Sequence, residues 1–266
     1  AMSPSTKRRK PRRKKRDLRK FLRVLRNLLL ITLSIIAVYY FSQSPFFALK
    51  SIEARGNSQV TEAEIIKKSG LRPGINYFEL DTELVKKRLL SIPLMETVNV
   101  KKRIPDGVVI TIEEREPLAL FCAQESFVVI DGKGYCLEKY TTSKSYDLPI
   151  ITGLKPDSLN PGERVSNSGY LESVLAVLDK DVQQLVSEIN IANTDNLVAY
   201  TRQGIPVFLG TPEKLPEKLD LAASYLDLLG GVEGIDYIDI RSVQAPAVKC
   251  QMKDKQRINL FSSLEN

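Results

Sequence analysis

Residues 28–49 of this chain read LLLITLSIIAVYYFSQSPFFAL and contain no charged side chain. As an α-helix rising about 1.5 Å per residue, this stretch would reach about 33 Å, which is enough to cross the hydrocarbon core of a bilayer. One charged residue at its centre would cost about 2.5–3.5 kcal/mol, so the lack of charge is informative. Tyr39, Tyr40 and Phe41 are typical of the membrane interface. The stretch predicts a transmembrane helix over 28–49 rather than a buried helix of a soluble core.

The charge of the chain is concentrated on one side of this stretch. The formal charge of all 266 residues is +7, but residues 1–27 carry thirteen Lys and Arg against Asp17 alone, which makes them +12 and the remainder −5. Basic residues beside a membrane helix stay in the cytoplasm, so 1–27 is predicted to be a cytoplasmic tail and the rest to lie outside. This membrane orientation alone accounts for the basic residues of the tail. A basic tail at the cytoplasmic surface would also contact anionic lipid. The mildly acidic remainder offers no surface for a nucleic acid.

A cleaved signal peptide is the alternative to a membrane anchor. Ser42-Gln43-Ser44 supplies the small residues that follow the apolar part of such a peptide. The basic segment before the apolar stretch is longer than the corresponding region of most signal peptides. This length favours an anchor that is retained.

Beyond residue 50 the pattern changes to short strands and amphipathic helices. The first predicted unit contains a strand (49–55), a helix from the capping box Thr61/Glu64 to Gly70, a helix from Asp81, and strands at 98–104 and 108–114 around the turn Pro105-Asp106-Gly107. The second contains a hairpin (127–130 and 135–137), strands at 148–153, 187–191, 197–201, 206–209 and 235–241, and helices from Asn167 and over 215–229. The predicted fold class is α+β, a transmembrane helix followed by two mixed units.

The sequence lacks the residues of the common hydrolases. With no histidine anywhere, a Ser-His-Asp or Cys-His arrangement is impossible, and no nucleophile elbow or phosphate-binding loop is present. Glu113, Glu114 and Glu116 resemble paired catalytic carboxylates, but neighbours on a strand point to opposite faces, and we expect solvated strand-end charges. No catalytic, cofactor-binding or metal-binding residue is therefore predicted.

Three cysteines, Cys122, Cys136 and Cys250, leave two interpretations open. Outside the cytoplasm they would allow one disulfide and one free thiol. They would equally serve as small buried apolar residues.

The order of motifs in the first unit resembles a POTRA domain. The matching stretches are IEARGN (52–57), GLRPGIN (70–76), Pro93 with Val98 and Val100, and IPD (104–106) leading to IEEREPLA (112–119). This unit follows a basic tail and one membrane helix, and it precedes the motifs FVVIDG (127–132), LPIITG (148–153), VFLG (207–210) and IDIR (238–241). In this order the features resemble the bacterial cell-division family FtsQ/DivIB. The resemblance covers about residues 23–251.

This resemblance implies a non-enzymatic divisome scaffold of the plasma membrane that acts at the septum. Its expected partners are the bitopic proteins FtsB/DivIC and FtsL, through which it would support septal peptidoglycan synthesis. The implied organisation is a POTRA domain over 50–117, a partner-binding β domain over 118–251 and a C-terminal tail over 252–266. A POTRA-type envelope chaperone and a carboxylate-dependent cell-wall hydrolase are the alternative functions.

In the family the partner binds as an extra strand on an exposed edge near the C-terminus, which implies a site after IDIR (238–241). An exposed edge offers unpaired N–H and C=O groups to another chain. The residues that the resemblance assigns to this site are Arg241, Ser242, Gln244, Ala247, Val248, Lys249 and Cys250.

Two features of this sequence depart from the family pattern at the expected site. Ser242 stands where some relatives have an aromatic residue, and Pro246 cannot donate a ladder hydrogen bond. Arg241 matches the family's arginine and would suit an acidic partner residue. It would also be explained by capping the last helix or by pairing inside its own domain.

Overall fold

The computed structural model describes residues 13–123, 126–140, 146–229 and 234–250, with side chains from residue 18 onward. The helices of this part of the chain are α1 (Arg13–Ser42), α2 (Glu62–Ser69), α3 (Thr82–Leu89), α4 (Gly169–Leu175), α5 (Lys180–Leu185) and α6 (Leu215–Leu228). The strands are β1 (Ser51–Arg55), β2 (Met95–Arg103), β3 (Gly107–Glu114), β4 (Ala119–Ala123), β5 (Ser126–Ile130), β6 (Cys136–Lys139), β7 (Ile150–Thr152), β8 (Val186–Asn190), β9 (Leu197–Thr201), β10 (Pro206–Gly210), β11 (Ile235–Asp239) and β12 (Ala247–Cys250). These mixed helices and sheets confirm the predicted α+β class. The tail at 252–266 lies outside the described residues, as do Gly230 and Gly231, which directly follow the predicted helix over 215–229.

Helix α1 contains one stretch, Leu18–Ser42, that is long and apolar enough to cross a membrane, and none of it is buried in the protein. The helix ends at Ser42, whereas the predicted transmembrane helix continued to residue 49. The chain then makes a 3-10 turn at Pro45–Phe47, capped by the Ser44 side chain, and Leu49 is fully buried in the first folded unit. Lack of charge did not distinguish residues that face lipid from residues that face a protein core.

The first unit is a three-stranded sheet covered by α2 and α3. β3 lies in the centre, parallel to β1 and antiparallel to β2. The Thr61 side chain caps α2 by accepting from Glu64 N, and Gly70 ends this helix at a φ of 73°, in the left-handed region that glycine tolerates. The Asp81 carboxylate caps α3. The predicted capping positions are therefore confirmed.

Glu114, expected to be a solvated charge, instead closes the loop between β1 and α2. Its carboxylate accepts hydrogen bonds from Gln59 N (2.7 Å), Val60 N (3.1 Å), Ser58 N (3.1 Å) and Ser58 Oγ (2.8 Å). Burial alone would raise the pKa of Glu114, but these hydrogen bonds to the charged form outweigh burial and lower it. The carboxylate is a structural acceptor, a role that no local sequence pattern indicated.

Replacing Glu114 by glutamine is expected to lower the free energy of unfolding by about 2 kcal/mol, because an amide NH₂ then faces donors. A carboxyl group with a lowered pKa stabilises the fold above its unfolded pKa of about 4.3, and this contribution disappears as pH falls through the folded value. Urea unfolding at pH 7 and at pH 3 should show the difference between wild type and Glu114→Gln shrinking in acid. Glu113→Gln is the control, since Glu113 bonds the Thr97 hydroxyl at the surface. Equal effects of the two substitutions would contradict the structural role of Glu114.

The second unit is a nine-stranded mixed sheet of order β12-β11-β10-β9-β8-β7-β4-β5-β6. The predicted hairpin β5–β6 and the helix with Leu171, Val174 and Leu175 buried on one face are confirmed. Strand β4 and helix α5 were not predicted. β4 is inserted between β5 and β7 with Phe121 fully buried, and its continuous apolar sequence shows no alternation.

A buried ion pair joins the two units. Arg115, directly after β3, donates to the Asp131 carboxylate over 2.6 Å, and both side chains are largely buried. The Arg115 guanidinium also lies over the Tyr135 ring, 4.0 Å from its centroid. Lys133 and Glu96 form a more exposed pair beside it. Charge pairing and stacking thus fix the connection between the first and second units.

Candidate functional site

The nine-stranded sheet has two edge strands, β6 and β12, and they differ in exposure. At β6, Cys136 N donates to Glu163 O (2.8 Å) and Gly162 N donates to Cys136 O (2.7 Å), so a loop of the same unit covers this edge. Within the described residues no comparable backbone bond reaches the outer side of β12. Among the described residues, β12 is therefore the open edge, at the residues 247–250 where the resemblance implied an edge strand.

The direction of the β12 backbone groups follows from the neighbouring strands. Ile240 N donates to Phe208 O over 2.9 Å, so Ile240 turns its backbone groups toward β10. Backbone groups alternate in direction along a strand, and Asp239 and Tyr237 therefore face β12, where they pair with Ala247 and Lys249.

Val248 and Cys250 consequently turn their N–H and C=O groups away from the sheet, because they alternate with Ala247 and Lys249. A strand added outside β12 would bond to these two residues. The four residues of β12 are thus divided into two that hold the strand in its own sheet and two that are available to another chain.

The side chains of β12 also alternate. Ala247 and Lys249 are exposed on one face, whereas Val248 and Cys250 are half-buried on the other, and Val248 packs at the margin of the core. Lys249 lies above the Tyr237 ring, with Nζ 5.6 Å from its centroid, and 3.4 Å from a carboxylate oxygen of Asp236. The exposed face of the edge therefore carries an aromatic ring and a cation.

Arg241 begins the turn from β11 to β12 and is paired within its own unit. Its Nε donates to Asp239 Oδ1 over 3.0 Å, and the side chain remains 61% exposed. The hydrogen bond from Arg241 lowers the pKa of Asp239, and Asp239 raises the pKa of Arg241. Of the explanations that the sequence left open, internal pairing is the one observed.

Ser242 and Gln244 shape the same turn. The Ser242 hydroxyl donates to Gln244 Oε1 (3.2 Å), and Ala245 N donates to Ser242 O (3.2 Å). All seven predicted site residues thus fall within one hairpin, 235–250. Sequence reasoning missed Tyr237 and Asp236. Both contact Lys249 beside an irregularity of the ladder between Ile235 and Tyr237, whereas strict alternation would put these neighbours on opposite faces.

A cleft of about 510 Å³ between the units is lined by carboxylates of Glu96, Glu114, Glu116 and Asp131. Three of the four have internal partners: Lys133 for Glu96, the loop at 58–60 for Glu114, and Arg115 for Asp131. The hydrogen bond from Lys133 lowers the pKa of Glu96, as the loop bonds lower that of Glu114. A general acid at neutral pH needs the opposite shift.

The three cysteines are free thiols. Burial raises the pKa of Cys136 to about 11, which leaves it protonated at neutral pH. Among the described residues no group of three or more Cys, Asp or Glu side chains is arranged to hold a metal ion.

Two family models match consecutive parts of the chain. The first, described as a POTRA domain of FtsQ type, matches residues 47–115. The second, described as the C-terminal part of the cell division protein FtsQ/DivIB, matches residues 119–241. The boundary between the two matches falls between β3 and β4.

Curated relatives match over most of their length. The chain is 30% identical over 229 residues to the cell division protein DivIB of Clostridium tetani, covering 82% of this chain and 85% of that protein. It is 28% identical over 213 residues to the cell division protein FtsQ of Syntrophotalea carbinolica, covering 77% of this chain and 75% of the relative. A solved structure of the major extracytoplasmic domain of DivIB from Geobacillus stearothermophilus matches 43% of this chain and 92% of that domain, with 18% identity and a TM-score of 0.32. Because this identity and TM-score are low, the structure carries no argument about the family. Family membership is decided by the family models and the curated relatives.

Proposed function

Because the chain belongs to the FtsQ/DivIB family of bacterial cell-division proteins, we propose that it is a non-enzymatic scaffold anchored in the plasma membrane by α1. Its N-terminal tail lies in the cytoplasm, and its POTRA domain (50–117) and β domain (118–251) lie outside, at the division septum. The β domain binds a bitopic partner of the FtsB/DivIC or FtsL kind and thereby supports septal peptidoglycan synthesis.

The observation that carries this proposal is the open edge at β12. Val248 and Cys250 together present two N–H and two C=O groups, which a partner strand would engage by β-augmentation. Each such bond contributes about 0.5–1.5 kcal/mol net, so the backbone alone gives modest affinity and the side chains of the hairpin must add to it.

The side chains around the edge favour a partner strand that carries an acidic residue. The side chains of Arg241 and Lys249 are both largely exposed, and each is held near a carboxylate of β11. A partner carboxylate would replace Asp239 at the Arg241 guanidinium, or bind the guanidinium together with Asp239. The contact would consist of two parallel hydrogen bonds. Tyr237 supplies an aromatic surface under the neighbouring lysine.

The arrangement of the cleft carboxylates supports a role without catalysis. Glu96 and Glu114, whose pKa values are lowered, would be ionised and committed to Lys133 and the 58–60 loop, and Asp131 is committed to Arg115. The cleft is the region that the alternative function, a cell-wall hydrolase, would use. Neither Glu96 nor Glu114 therefore offers a proton donor of raised pKa.

Binding to the membrane proteins of the same organism tests the function. Full-length chain in lipid nanodiscs should retain FtsB/DivIC-like and FtsL-like proteins at micromolar concentration, identified by mass spectrometry. Recovery of many unrelated outer-membrane proteins would favour the envelope-chaperone alternative. Turnover of peptidoglycan by the purified chain would contradict the absence of catalysis.

A further inference from the structure

The end of the POTRA domain nearest α1 carries an exposed apolar patch, which we define as Phe46, Phe78 and Ile104. These side chains are 54%, 57% and 76% exposed. Beyond α1, the only other large apolar side chain among the described residues that is more than half exposed is Leu228. Three of these four residues therefore lie at the same end of one domain. Apolar residues scattered singly over a surface would not be clustered in this way.

Hydrogen bonds hold this end of the domain against the end of α1. Asn76 Nδ2 donates to Ser42 O, the last residue of the helix, over 2.8 Å. Tyr77 N donates to Phe47 O over 2.8 Å, and Leu49 N donates to Ile75 O over 2.8 Å. The segment after the helix is thus part of the domain surface rather than a free linker.

An unbroken series of aromatic rings runs from the helix to the patch. The Phe41 ring, in the last turn of α1, lies 5.3 Å from the Phe47 ring, which lies 5.0 Å from both Phe46 and Phe78. The apolar surface of the membrane helix therefore continues directly into Phe46 and Phe78.

Ile104 lies at the same end, in the turn between β2 and β3. Asp106 O in this turn accepts hydrogen bonds from Lys50 N (2.8 Å) and Ser51 N (3.2 Å), at the start of β1. The Lys50 ammonium lies 3.0 Å from the Asp106 carboxylate and is largely exposed. A cation beside apolar side chains is suited to the phosphate level of a bilayer.

We propose that Phe46, Phe78 and Ile104 insert into the outer interface of the bilayer and hold the POTRA domain against the membrane. This inference rests on the membrane-spanning α1 of the proposed function. The occupant is lipid because the patch continues the apolar surface of α1, whose last residue is hydrogen-bonded to the domain. Aromatic and large aliphatic side chains are typical of such interfacial insertion.

The absence of tryptophan from the sequence makes a direct test possible. Phe78→Trp and Ile104→Trp each place one fluorophore in the patch. Ile35→Trp, within α1, reports the transmembrane span. Leu90→Trp is the matched control, because Leu90 is an exposed residue of the same domain next to the opposite end of β2. Each variant is reconstituted at full length in nanodiscs of phosphatidylethanolamine and phosphatidylglycerol, with and without brominated acyl chains.

The proposal expects a blue-shifted emission and a loss of intensity with brominated lipid for Phe78→Trp and Ile104→Trp, and neither for Leu90→Trp. The proposal is overturned if Ile35→Trp is quenched but neither patch variant is quenched more than Leu90→Trp. In that case the patch is covered by water or by another protein rather than by lipid. Lack of quenching at Ile35→Trp would instead refute the membrane span itself, and with it both proposals. Circular dichroism of each variant confirms that the domain is folded.

Discussion

Replacing Val248 by proline is expected to weaken partner binding about 10- to 100-fold. The Val248 N–H points away from the sheet, so proline removes a donor that no described residue uses and that an added strand would engage. The partner carbonyl is left unpaired in the interface, at a cost of about 1–3 kcal/mol. The β11–β12 ladder should be retained, because its bonds come from Ala247 and Lys249. Titration of the partner against the nanodisc-bound full chain measures the change.

Two matched substitutions separate backbone from side-chain effects. Val248→Ala removes the same apolar packing at the core margin but keeps the N–H, and it should bind much more tightly than Val248→Pro. Lys249→Pro removes a donor that faces β11, and it should reduce the stability of the hairpin as well as binding. Equal affinities of Val248→Pro and Val248→Ala would place the interface elsewhere.

The elements that the sequence predicted well are those with a local physical signal. Thr61 and Asp81 cap helices because their oxygens can accept from the first backbone N–H groups, and Gly70 ends a helix because it tolerates a positive φ. The Asp131-Gly132-Lys133-Gly134 turn likewise specified a hairpin. The seven residues assigned by resemblance lie in one hairpin with an open edge, although their part in binding stays a prediction.

The features that the sequence did not reveal depend on distant partners. Leu49 looks like the end of a membrane helix, and only the core of the first unit shows that it is buried there. Glu114 receives its four hydrogen bonds from a loop more than fifty residues earlier. The outward direction of Val248 depends on the register of β10, β11 and β12. Periodicity within one segment carries none of this information.

Replacing Asp131 by alanine is expected to lower the free energy of unfolding by about 3 kcal/mol, the largest stability effect predicted here. Removing one member of a buried ion pair leaves an uncompensated charge, which costs about 3–5 kcal/mol. Asp131 also accepts from Lys133 N (2.9 Å) and Tyr135 N (2.8 Å), and these donors would lose their acceptor. Urea unfolding of the full chain in detergent, followed by circular dichroism, measures the loss.

Lys133→Ala is the control for this prediction, because it breaks the neighbouring, more exposed pair with Glu96 and should cost about 0–1 kcal/mol. Asp131→Asn should fall between the two, since its oxygen can still accept from Lys133 N and Tyr135 N while the charge facing Arg115 is lost. Arg115 follows the last strand of the POTRA domain, and Asp131 directly follows β5 of the nine-stranded sheet. The pair therefore ties the POTRA domain to the sheet of the second unit. If Asp131→Ala were no more destabilising than Lys133→Ala, the junction between the two units would have to be stabilised by other contacts.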